Sequence, residues 1–345
     1  ATGGSRAQAH IPLEEIFKGK PVRVVHDKAT RLDRDKKTLK GKTRTYSYDA
    51  LVIALGVVTN YFGIKGLKEY SFGIKSIEEA SELKSHIHKQ LLQNQKPDLN
   101  YIVIGGGPTG VELAGALPAY IKKVMKNHGV KHKAVHVDLV EAAPRLLPRM
   151  PKDMSRLVAR RLRRLKIKLY LGNKVEGATS DSLMVDGEPI ASRTIIWTAG
   201  VTNHPFLGDN HFELNQAGKA TVNQFLAAEA DIYVVGDNAD TPYSGLAQTA
   251  LWDGLFVANH LKKLASGKKP KPYSARKPIY VFPAGPKWAA VLWGKIRIYG
   301  RVGWWLRRLA DLIGYHDLEP WWRASHRWMQ ESVTEEECKY CVKKT

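Results

Sequence analysis

The sequence predicts an α/β protein built on parallel sheets, because short apolar segments alternate with segments of helical period. The apolar segments expected to be strands are 22–25, 46–56, 101–104, 135–140, 168–171, 182–185, 194–197 and 232–235. The segments expected to be helices, with apolar residues three or four positions apart, are 76–93, 111–128, 152–165 and 246–264. With 345 residues, the chain is long enough for two domains of ordinary size.

The composition is that of a globular protein, with 43% hydrophobic and 25% charged residues. No apolar run approaches the roughly 18 residues of a membrane-spanning helix, and the first ten residues lack the apolar stretch of a signal peptide. Two cysteines exclude a disulfide framework and are typical of a reducing compartment. The formal net charge of +21 predicts an anionic partner, either nucleic acid or an acidic lipid surface.

A glycine-rich turn stands between the strand at 101–104 and the helix after it. It reads Gly105-Gly-Gly107-Pro-Thr-Gly110, the Gly-x-Gly-x-x-Gly pattern in the strand–turn–helix context that a dinucleotide site requires. Gly105 permits the tight turn, Gly107 lets a pyrophosphate approach the backbone, and Gly110 lets the helix pack close to the strand. The phosphates would then lie at the positive end of the helix. We therefore predict a dinucleotide site here, with a glycine-rich turn that binds nothing as the alternative.

The next strand ends in a carboxylate, Glu141. An acid at that position accepts hydrogen bonds from a ribose 2′-hydroxyl and repels a 2′-phosphate, which favours NAD over NADP. It lies 36 residues after Gly105 instead of the usual ~20, and an extended helix accounts for the surplus. The alternative is that Glu141 is a surface acid, and the nearby Arg145 weakens the preference for NAD.

Three further segments are common individually but form a pattern together. They are Asp49-Ala-Leu-Val-Ile-Ala-Leu-Gly56, Trp197-Thr-Ala-Gly-Val201 and Val234-Val-Gly236-Asp237. In order with 105–112 and 141–148, they resemble the flavoproteins that have two dinucleotide-binding domains. With Ala247-Gln248-Thr-Ala250 added, the chain resembles type II NADH:quinone dehydrogenases, and the resemblance extends over about residues 21–264.

The resemblance implies two Rossmann-like domains, an FAD domain interrupted by an NAD domain. It implies an NADH site formed by the glycine turn, the acid after the next strand and a second loop, namely Gly105, Gly107, Pro108, Thr109, Gly110, Glu141, Ala199 and Gly200. Glu112 is the implied catalytic residue, because the matching glutamate of the family lies near the nicotinamide and the flavin, where it tunes hydride transfer or quinone access.

The FAD side that the resemblance implies is formed by other segments. Gly236 and Asp237 would bind the ribityl chain, and Ala29 would touch the adenine. Ala247 and Gln248 would begin a helix whose N-terminus faces the pyrimidine edge of the flavin, where the helix dipole favours the reduced, anionic ring.

The chain departs from the family at two places. The family's N-terminal Gly-x-Gly-x-x-Gly unit for the FAD diphosphate has no counterpart in this sequence before Ala29, so a chain that starts at Ala1 is expected to bind FAD poorly. Trp252 stands where some members have a second glutamine near the quinone, so we assign no quinone contact to it.

Cysteine and histidine spacing argues against two other chemistries. No Cys-x-x-Cys occurs in the middle of the chain, which argues against disulfide reductase chemistry. Cys338-Lys-Tyr-Cys341 is expected to be a pair of reduced thiols, with half of an intermolecular zinc site as the alternative. The twelve histidines show no ligand spacing, so no metal is predicted.

The positive charge concentrates near the C-terminus. Residues 262–328 contain 15 Lys and Arg against 3 Asp and Glu, which is +12 of the +21, together with seven of the nine tryptophans. A helix predicted at 301–315 has one apolar face, formed by Val302, Trp305, Leu306, Leu309, Leu312 and Ile313. A second helix, predicted from Pro320, has a face formed by Trp321, Trp322, Ser325, Trp328 and Met329. Basic helices with such faces lie at membrane interfaces. Packing onto the body of the protein is the alternative, and the arginines of 160–164 are expected to form a solvated helix face, not a nucleic-acid site.

We therefore predict a first part of an FAD domain at 1–63, an NAD(H) domain at 64–200, the second part of the FAD domain at 201–268, and a membrane-attachment region at 269–345. The predicted function is transfer of a hydride from NADH to FAD and of electrons to a membrane quinone. The protein would be peripheral, on the cytoplasmic face of the inner membrane and bound to its anionic surface, without nucleic acid; a homodimer is left open. The alternatives are a flavoprotein reductase for a soluble electron carrier and a flavin-free NADH-binding membrane protein.

Overall fold

The computed structural model describes residues 10–93, 99–130 and 134–330. The predicted thiol pair, Cys338 and Cys341, lies outside the described residues. The helices are α1 (Leu13–Ile16), α2 (Leu67–Tyr70), α3 (Ile77–Gln93), α4 (Pro108–Asn127), α5 (Lys152–Arg164), α6 (Phe206–Asp209), α7 (Ala247–Ala265), α8 (Arg301–His316) and α9 (Trp321–Gln330).

The strands, in chain order, are β1 (Ala29–Asp33), β2 (Thr38–Gly41), β3 (Thr45–Ser47), β4 (Leu51–Ile53), β5 (Val57–Thr59), β6 (Ser71–Phe72), β7 (Asn100–Ile104), β8 (His136–Glu141), β9 (Ile167–Leu171), β10 (Val175–Ala178), β11 (Ser182–Val185), β12 (Glu188–Ala191), β13 (Thr194–Trp197), β14 (Val201–Asn203), β15 (Ala227–Glu229), β16 (Ile232–Val234), β17 (Tyr280–Pro283), β18 (Ala289–Trp293) and β19 (Ile296–Gly300).

The chain divides into two compact units. Unit 1 comprises the described residues of Ala1–Pro21, Tyr61–Gly200 and Ile279–Thr345, and unit 2 comprises Val22–Asn60 and Val201–Pro278. Each unit is therefore assembled from separated segments of the chain. Which nucleotide each unit binds remains a prediction.

Unit 1 is built on a five-stranded sheet in the order β6-β13-β7-β8-β9, and its strand pairs are parallel. Helices α4 and α5 connect β7 to β8 and β8 to β9. The central strand β7 is apolar and buried from Tyr101 to Ile104, because helices cover a parallel sheet on both faces. Leu117 and Ile121 of α4 and Met154 and Leu162 of α5 pack on this sheet in one core.

A second sheet of unit 1, antiparallel and in the order β17-β18-β19, comes from the region predicted to be a membrane-attachment segment. Phe282, Ala290 and Leu292 of this sheet belong to the same core as α4. Helix α8 follows β19 directly, and a side chain at Gly303 would overlap the Ala289 carbonyl oxygen. Residues 279–300 thus complete the core of unit 1, a role that their Pro- and Trp-rich sequence did not indicate.

Unit 2 contains three small sheets: an antiparallel β1-β2-β3 sheet, an antiparallel β5-β14 pair, and a β15-β16-β4 sheet in which β16 and β4 are parallel. Ile53, Ile232 and Val234 pack in its core. The α/β class predicted from the sequence is therefore confirmed, and the structure adds antiparallel sheets in both units.

Most predicted elements occur within a few residues of the expected positions. The exceptions are the segment 22–25, which forms no strand, and the segment 46–56, in which only β4 and the end of β3 are strands. In the described part of the chain, no helix combines the length and the apolar character needed to cross a bilayer.

Candidate functional site

The glycine turn between β7 and α4 is held closed by its own backbone. Gly105 has φ +113°, and a Cβ there would lie 2.8 Å from the Ala199 Cα. A Cβ at Gly110 would overlap the Gly105 carbonyl oxygen. Both glycines are therefore required by packing, whether or not a ligand is bound.

Gly107 differs from these two glycines. It is the N-cap residue of α4, its backbone is extended, and a Cβ built there meets no heavy atom within 4 Å. No side chain caps the helix, so the N–H groups of its first turn remain for a ligand, and Pro108 and Thr109 are exposed. An open space over an uncapped N-terminus of a 20-residue helix fits the diphosphate of the predicted NAD(H).

The loop after β13 lies against this turn through Ala199, which was assigned to the NADH site from the resemblance. The neighbouring Thr198 was not predicted. Its Oγ1 donates a hydrogen bond to the Ile104 carbonyl over 2.6 Å, and its N–H donates to the same carbonyl over 2.9 Å. Thr198 thereby joins the end of β13 to the start of the glycine turn. Gly200, the next predicted residue of the loop, is buried.

Glu141 ends β8 beside the glycine turn. Its Oε2 accepts a hydrogen bond from the Gly106 N–H over 2.5 Å, and its Oε1 accepts one from the Ala143 N–H over 2.7 Å. The carboxylate is therefore positioned by the turn and is not an unattached surface acid. Each oxygen keeps a lone pair for a ribose hydroxyl. Arg145 points elsewhere, because its Nη1 donates to the Met150 carbonyl and the Ser155 hydroxyl.

Replacing Glu141 by serine is expected to raise the preference for NADPH over NADH roughly tenfold, equivalent to about 1.4 kcal/mol. The reason is that the substitution removes the negative charge that repels a 2′-phosphate. Steady-state kcat/KM with both nucleotides measures the ratio, and Glu141→Gln separates loss of charge from loss of the bonds to the turn. An unchanged ratio would mean that Glu141 only supports the turn.

The predicted FAD side lies in unit 2, where β16 leads into a short 3-10 helix at Gly236–Asn238. Gly236 has φ +68°, and a Cβ there would lie 3.1 Å from the Ala250 Cβ in the first turn of α7. Asn238, which is buried and was not predicted, exchanges two hydrogen bonds of 2.7 Å with the backbone of Gly56. The structure thus brings the ends of the segments carrying Gly56 and Asp237 together.

Helix α7 begins at Ala247 without a side-chain cap, and Ala247 and Gln248 are exposed. An uncapped helix N-terminus beside a half-buried carboxylate at Asp237 is a donor and acceptor set that fits the carbonyl edge and the ribityl hydroxyls of a flavin. Ala29 lies in β1, in a different sheet of unit 2, and its adenine contact remains a prediction.

A buried acid supports this strand end. The side chain of Asp253 on α7 accepts hydrogen bonds from the Gly236 N–H over 3.1 Å and from the Tyr273 hydroxyl over 2.5 Å. Burial raises the pKa of Asp253 above its usual value, and burial together with the Asp253 hydrogen bond raises the pKa of Tyr273. Sequence reasoning missed Asp253, because an acidic residue of an amphipathic helix is normally expected on the solvent-exposed face.

Asp253→Ala is expected to destabilise the protein by about 2 kcal/mol, because it leaves the buried Gly236 N–H and the partly buried Tyr273 hydroxyl without this acceptor. Since the folded pKa of Asp253 is raised, its contribution to stability is present below the ordinary pKa of aspartate and is lost as the pH rises through the folded pKa. Urea denaturation of the native protein and of Asp253→Asn should therefore show a stability difference that changes above about pH 4, to the native protein's disadvantage. A difference independent of pH would contradict the assignment.

Glu112 stands on the exposed side of α4 and lines a cavity of about 790 Å³ within unit 1. One wall is α4, with Ala116, Ala119 and Tyr120, and the β17–β18 turn contributes Gly285. The opposite wall comes from α8 and α9 and includes Trp304, Trp305, Arg308, Trp328 and Met329. The volume falls in the range of small-molecule sites.

The two C-terminal helices occupy the predicted segments but use their faces differently. On α8, Leu306 and Leu312 are half-buried, whereas Val302, Trp305, Leu309 and Ile313 form an exposed apolar stripe. On α9, Trp321 and Trp322 are exposed. The expected exposure of Trp328 is wrong: its indole N–H donates to the Arg308 carbonyl over 2.6 Å, and the Arg308 guanidinium lies 4.5 Å from the centre of its ring.

The pyridine nucleotide-disulphide oxidoreductase family matches residues 3–254 of the chain. Type II NADH:quinone oxidoreductases of Staphylococcus haemolyticus and Staphylococcus aureus are each 29% identical over 276 residues, which is 74% of this chain and 68% of each relative. The structure of NDH2 from Plasmodium falciparum in complex with RYL-552 superposes with a TM-score of 0.78 at 16% identity, over 89% of this chain and 82% of that one. Reduced Bacillus anthracis CoADR-RHD superposes with a TM-score of 0.66 at 19% identity, over 83% and 51%. The resemblance inferred from the motifs is confirmed.

Proposed function

The chain belongs to the pyridine nucleotide-disulphide oxidoreductase family, and from this premise we propose that it is an FAD-dependent NADH:quinone oxidoreductase. The observation that carries the proposal is the cavity that connects Glu112 on α4 with the tryptophan-rich helices α8 and α9. This cavity extends from the helix of the glycine turn to the helices that expose apolar side chains. Such an arrangement suits an acceptor that enters from a membrane.

In unit 1, the chain's own residues bind and orient NADH. The open space at Gly107 admits the diphosphate to the first turn of α4, and Glu141 selects the free 2′-hydroxyl of the ribose. The Thr198 hydroxyl fixes the adjoining loop, so that Ala199 stays beside the turn. These residues position a nucleotide and perform no covalent chemistry.

In unit 2, Asp237 and the N-terminus of α7 would hold FAD, and Asp253 keeps the Gly236 backbone in place beneath them. When bound, the flavin supplies the chemistry by accepting a hydride from NADH and passing two electrons to the quinone. The helix N-terminus favours negative charge on the reduced ring.

The cavity fits a quinone by its lining. Ala116 and Ala119 leave room beside α4, the rings of Trp304 and Tyr120 provide apolar walls, and Arg308 places a cation at the rim. Aromatic walls are typical of sites for planar ligands. The charged residues of the lining include Lys123 and Asp311, and the cations among them could bind the polar oxygens of a head group. Glu112, the only carboxylate of α4 on this lining, would hydrogen-bond to the quinone head group.

We propose that the protein is peripheral and attaches to the anionic cytoplasmic face of the inner membrane through α8 and α9. The exposed stripe of Val302, Leu309 and Ile313 on α8 supports this attachment, as do Trp321 and Trp322 on α9. The charge of +12 over residues 262–328 complements anionic headgroups. The boundaries predicted at 1–63, 64–200 and 201–268 are retained as part of this proposal. Within 269–345, the attachment is assigned to α8 and α9, because residues 279–300 belong to the core of unit 1.

Because a chain that starts at Ala1 is expected to bind FAD poorly, the test supplies FAD in excess. The purified protein should then show the visible absorption band of bound flavin and oxidise NADH with a short-chain quinone. Activity with a soluble electron carrier but not with quinone would favour the flavoprotein reductase alternative. NADH binding without a flavin band, even after incubation with FAD, would overturn the proposal in favour of a flavin-free NADH-binding protein.

A further inference from the structure

Two β-hairpins of unit 1 differ in the polarity of the residues at their turns. The β11–β12 hairpin closes Val185 onto Glu188 across Asp186 and Gly187, and its turn is polar, as exposed turns usually are. The β18–β19 hairpin closes Trp293 onto Ile296 across Gly294 and Lys295. Trp293 is 54% exposed and Ile296 is 61% exposed. Two large, solvent-exposed apolar side chains thus lie opposite each other at the end of the hairpin.

The row to which Trp293 belongs shows which side of the sheet it faces. Ala290 and Leu292 enter the core shared with α4. Ala289 and Val291 alternate with them and are buried on the other face, where α8 packs. Trp293 continues this second row, and its cross-strand partner Ile296 faces the same way. Trp293 and Ile296 therefore lie on the α8 side of the sheet, beyond the part of it that α8 covers.

The tip contains basic residues. Lys295 lies in the turn, and Arg297 follows Ile296 directly. The Arg297 Nε lies 3.2 Å from the Asp153 Oδ2 at the N-terminus of α5. Arg297 pairs across the strands with Leu292, so it faces the α4 side of the sheet, opposite to Trp293 and Ile296, and Lys295 is the basic residue of the turn itself.

We propose that the hairpin tip, residues 293–297, is a second membrane-inserting element, which enters the headgroup region of an anionic bilayer through Trp293 and Ile296. The inference rests on the membrane attachment proposed above and extends it from α8 and α9 to the β-sheet. Tryptophan and lysine are the residues that favour headgroup depth. A wedge of two apolar residues suffices for lipid, whereas a specific protein interface takes about 20–30 residues on each side.

The test places a fluorescent reporter at the tip. In a chain carrying Cys338→Ser and Cys341→Ser, Lys295→Cys is labelled with an environment-sensitive dye, and Glu188→Cys in the polar β11–β12 turn serves as the matched control. Vesicles of phosphatidylcholine with phosphatidylglycerol should shift the emission of the tip label to the blue and leave the control label unchanged. Phosphatidylcholine alone should give a much smaller shift. Absence of a shift at the tip in vesicles that do bind the protein would overturn the inference.

A second measurement uses the apolar pair itself. The Trp293→Ser/Ile296→Ser variant should bind the anionic vesicles about tenfold more weakly in a sedimentation assay. Its NADH oxidation with ferricyanide, a soluble acceptor, should be unchanged, because neither residue lines the cavity or the nucleotide sites. Unchanged vesicle affinity would count against the tip.

The outcomes also separate this inference from the proposed function. If Val302→Ser/Ile313→Ser on α8 abolishes vesicle binding while the tip label never responds, attachment by α8 stands and the hairpin inference fails. If no vesicles bind at all, both ideas of attachment fail. If the tip label responds but NADH does not reduce quinone, the inserting hairpin stands and the oxidoreductase proposal fails.

Discussion

NADH affinity is expected to fall at least about 100-fold in Gly107→Val, which corresponds to roughly 2.7 kcal/mol. A Cβ at Gly107 meets no protein atom within 4 Å, so the variant should fold normally. Its side chain would instead occupy the space in which the diphosphate approaches the first turn of α4. Isothermal titration calorimetry measures the NADH affinity, and the visible spectrum shows whether bound flavin is retained.

Gly110→Ala is the matched control in the same turn. Its Cβ would overlap the Gly105 carbonyl oxygen, so this variant should lose thermal stability instead of losing only the ligand. Unchanged NADH affinity in a well-folded Gly107→Val protein would show that the nucleotide lies elsewhere.

Filling the cavity beside α4 is expected to lower quinone reduction by about two orders of magnitude, because the acceptor would no longer reach its binding position. Ala119 is exposed, lines the cavity, and can be replaced by tryptophan without disturbing the core. Ala119→Trp should retain NADH oxidation with ferricyanide, since the nucleotide sites are untouched. Stopped-flow and steady-state assays measure the rate of quinone reduction relative to the rate of ferricyanide reduction.

Lys122→Trp supplies the control for size and helix context, because Lys122 is exposed on α4 but does not line the cavity. It should leave quinone reduction near the native rate. Equal quinone reduction in Ala119→Trp and Lys122→Trp would place the acceptor outside this cavity.

Features contained in one continuous segment could be predicted from the sequence. The turn at Gly105–Gly110 combines a buried strand, a glycine spacing and a helix start within about ten residues, and local rules describe each of these parts. The position of Glu141 beside the glycine turn could be predicted, because parallel strands place their carboxyl ends at one edge of a sheet. Helical periodicity likewise predicted α3, α5 and α7 within a few residues.

Contacts between segments could not be predicted in this way. Asn238 meets Gly56 across 182 residues of sequence, and Thr198 meets Ile104 across 94. Periodicity also shows that a helix has an apolar face without showing what covers it, so it could not reveal that Trp328 turns towards Arg308. The sheet β17–β19 escaped prediction because Pro and Gly stand close to the ends of its strands, and these residues are also typical of loops.

The β4–β16 pair joins two strands that are synthesised far apart in time. Leu51 pairs with Ile232, so the first strand of this parallel pair leaves the ribosome 181 residues before its partner. At translation rates of roughly 5–20 residues per second, β4 waits for about 10–40 seconds with its backbone hydrogen-bonding groups unsatisfied by the partner strand. Over the same interval the five strands of the parallel sheet of unit 1, which ends at Trp197, are all delivered. Nascent chains stalled before residue 232 should therefore depend on chaperones to shield residues 45–59, and release of that dependence should coincide with the emergence of β16.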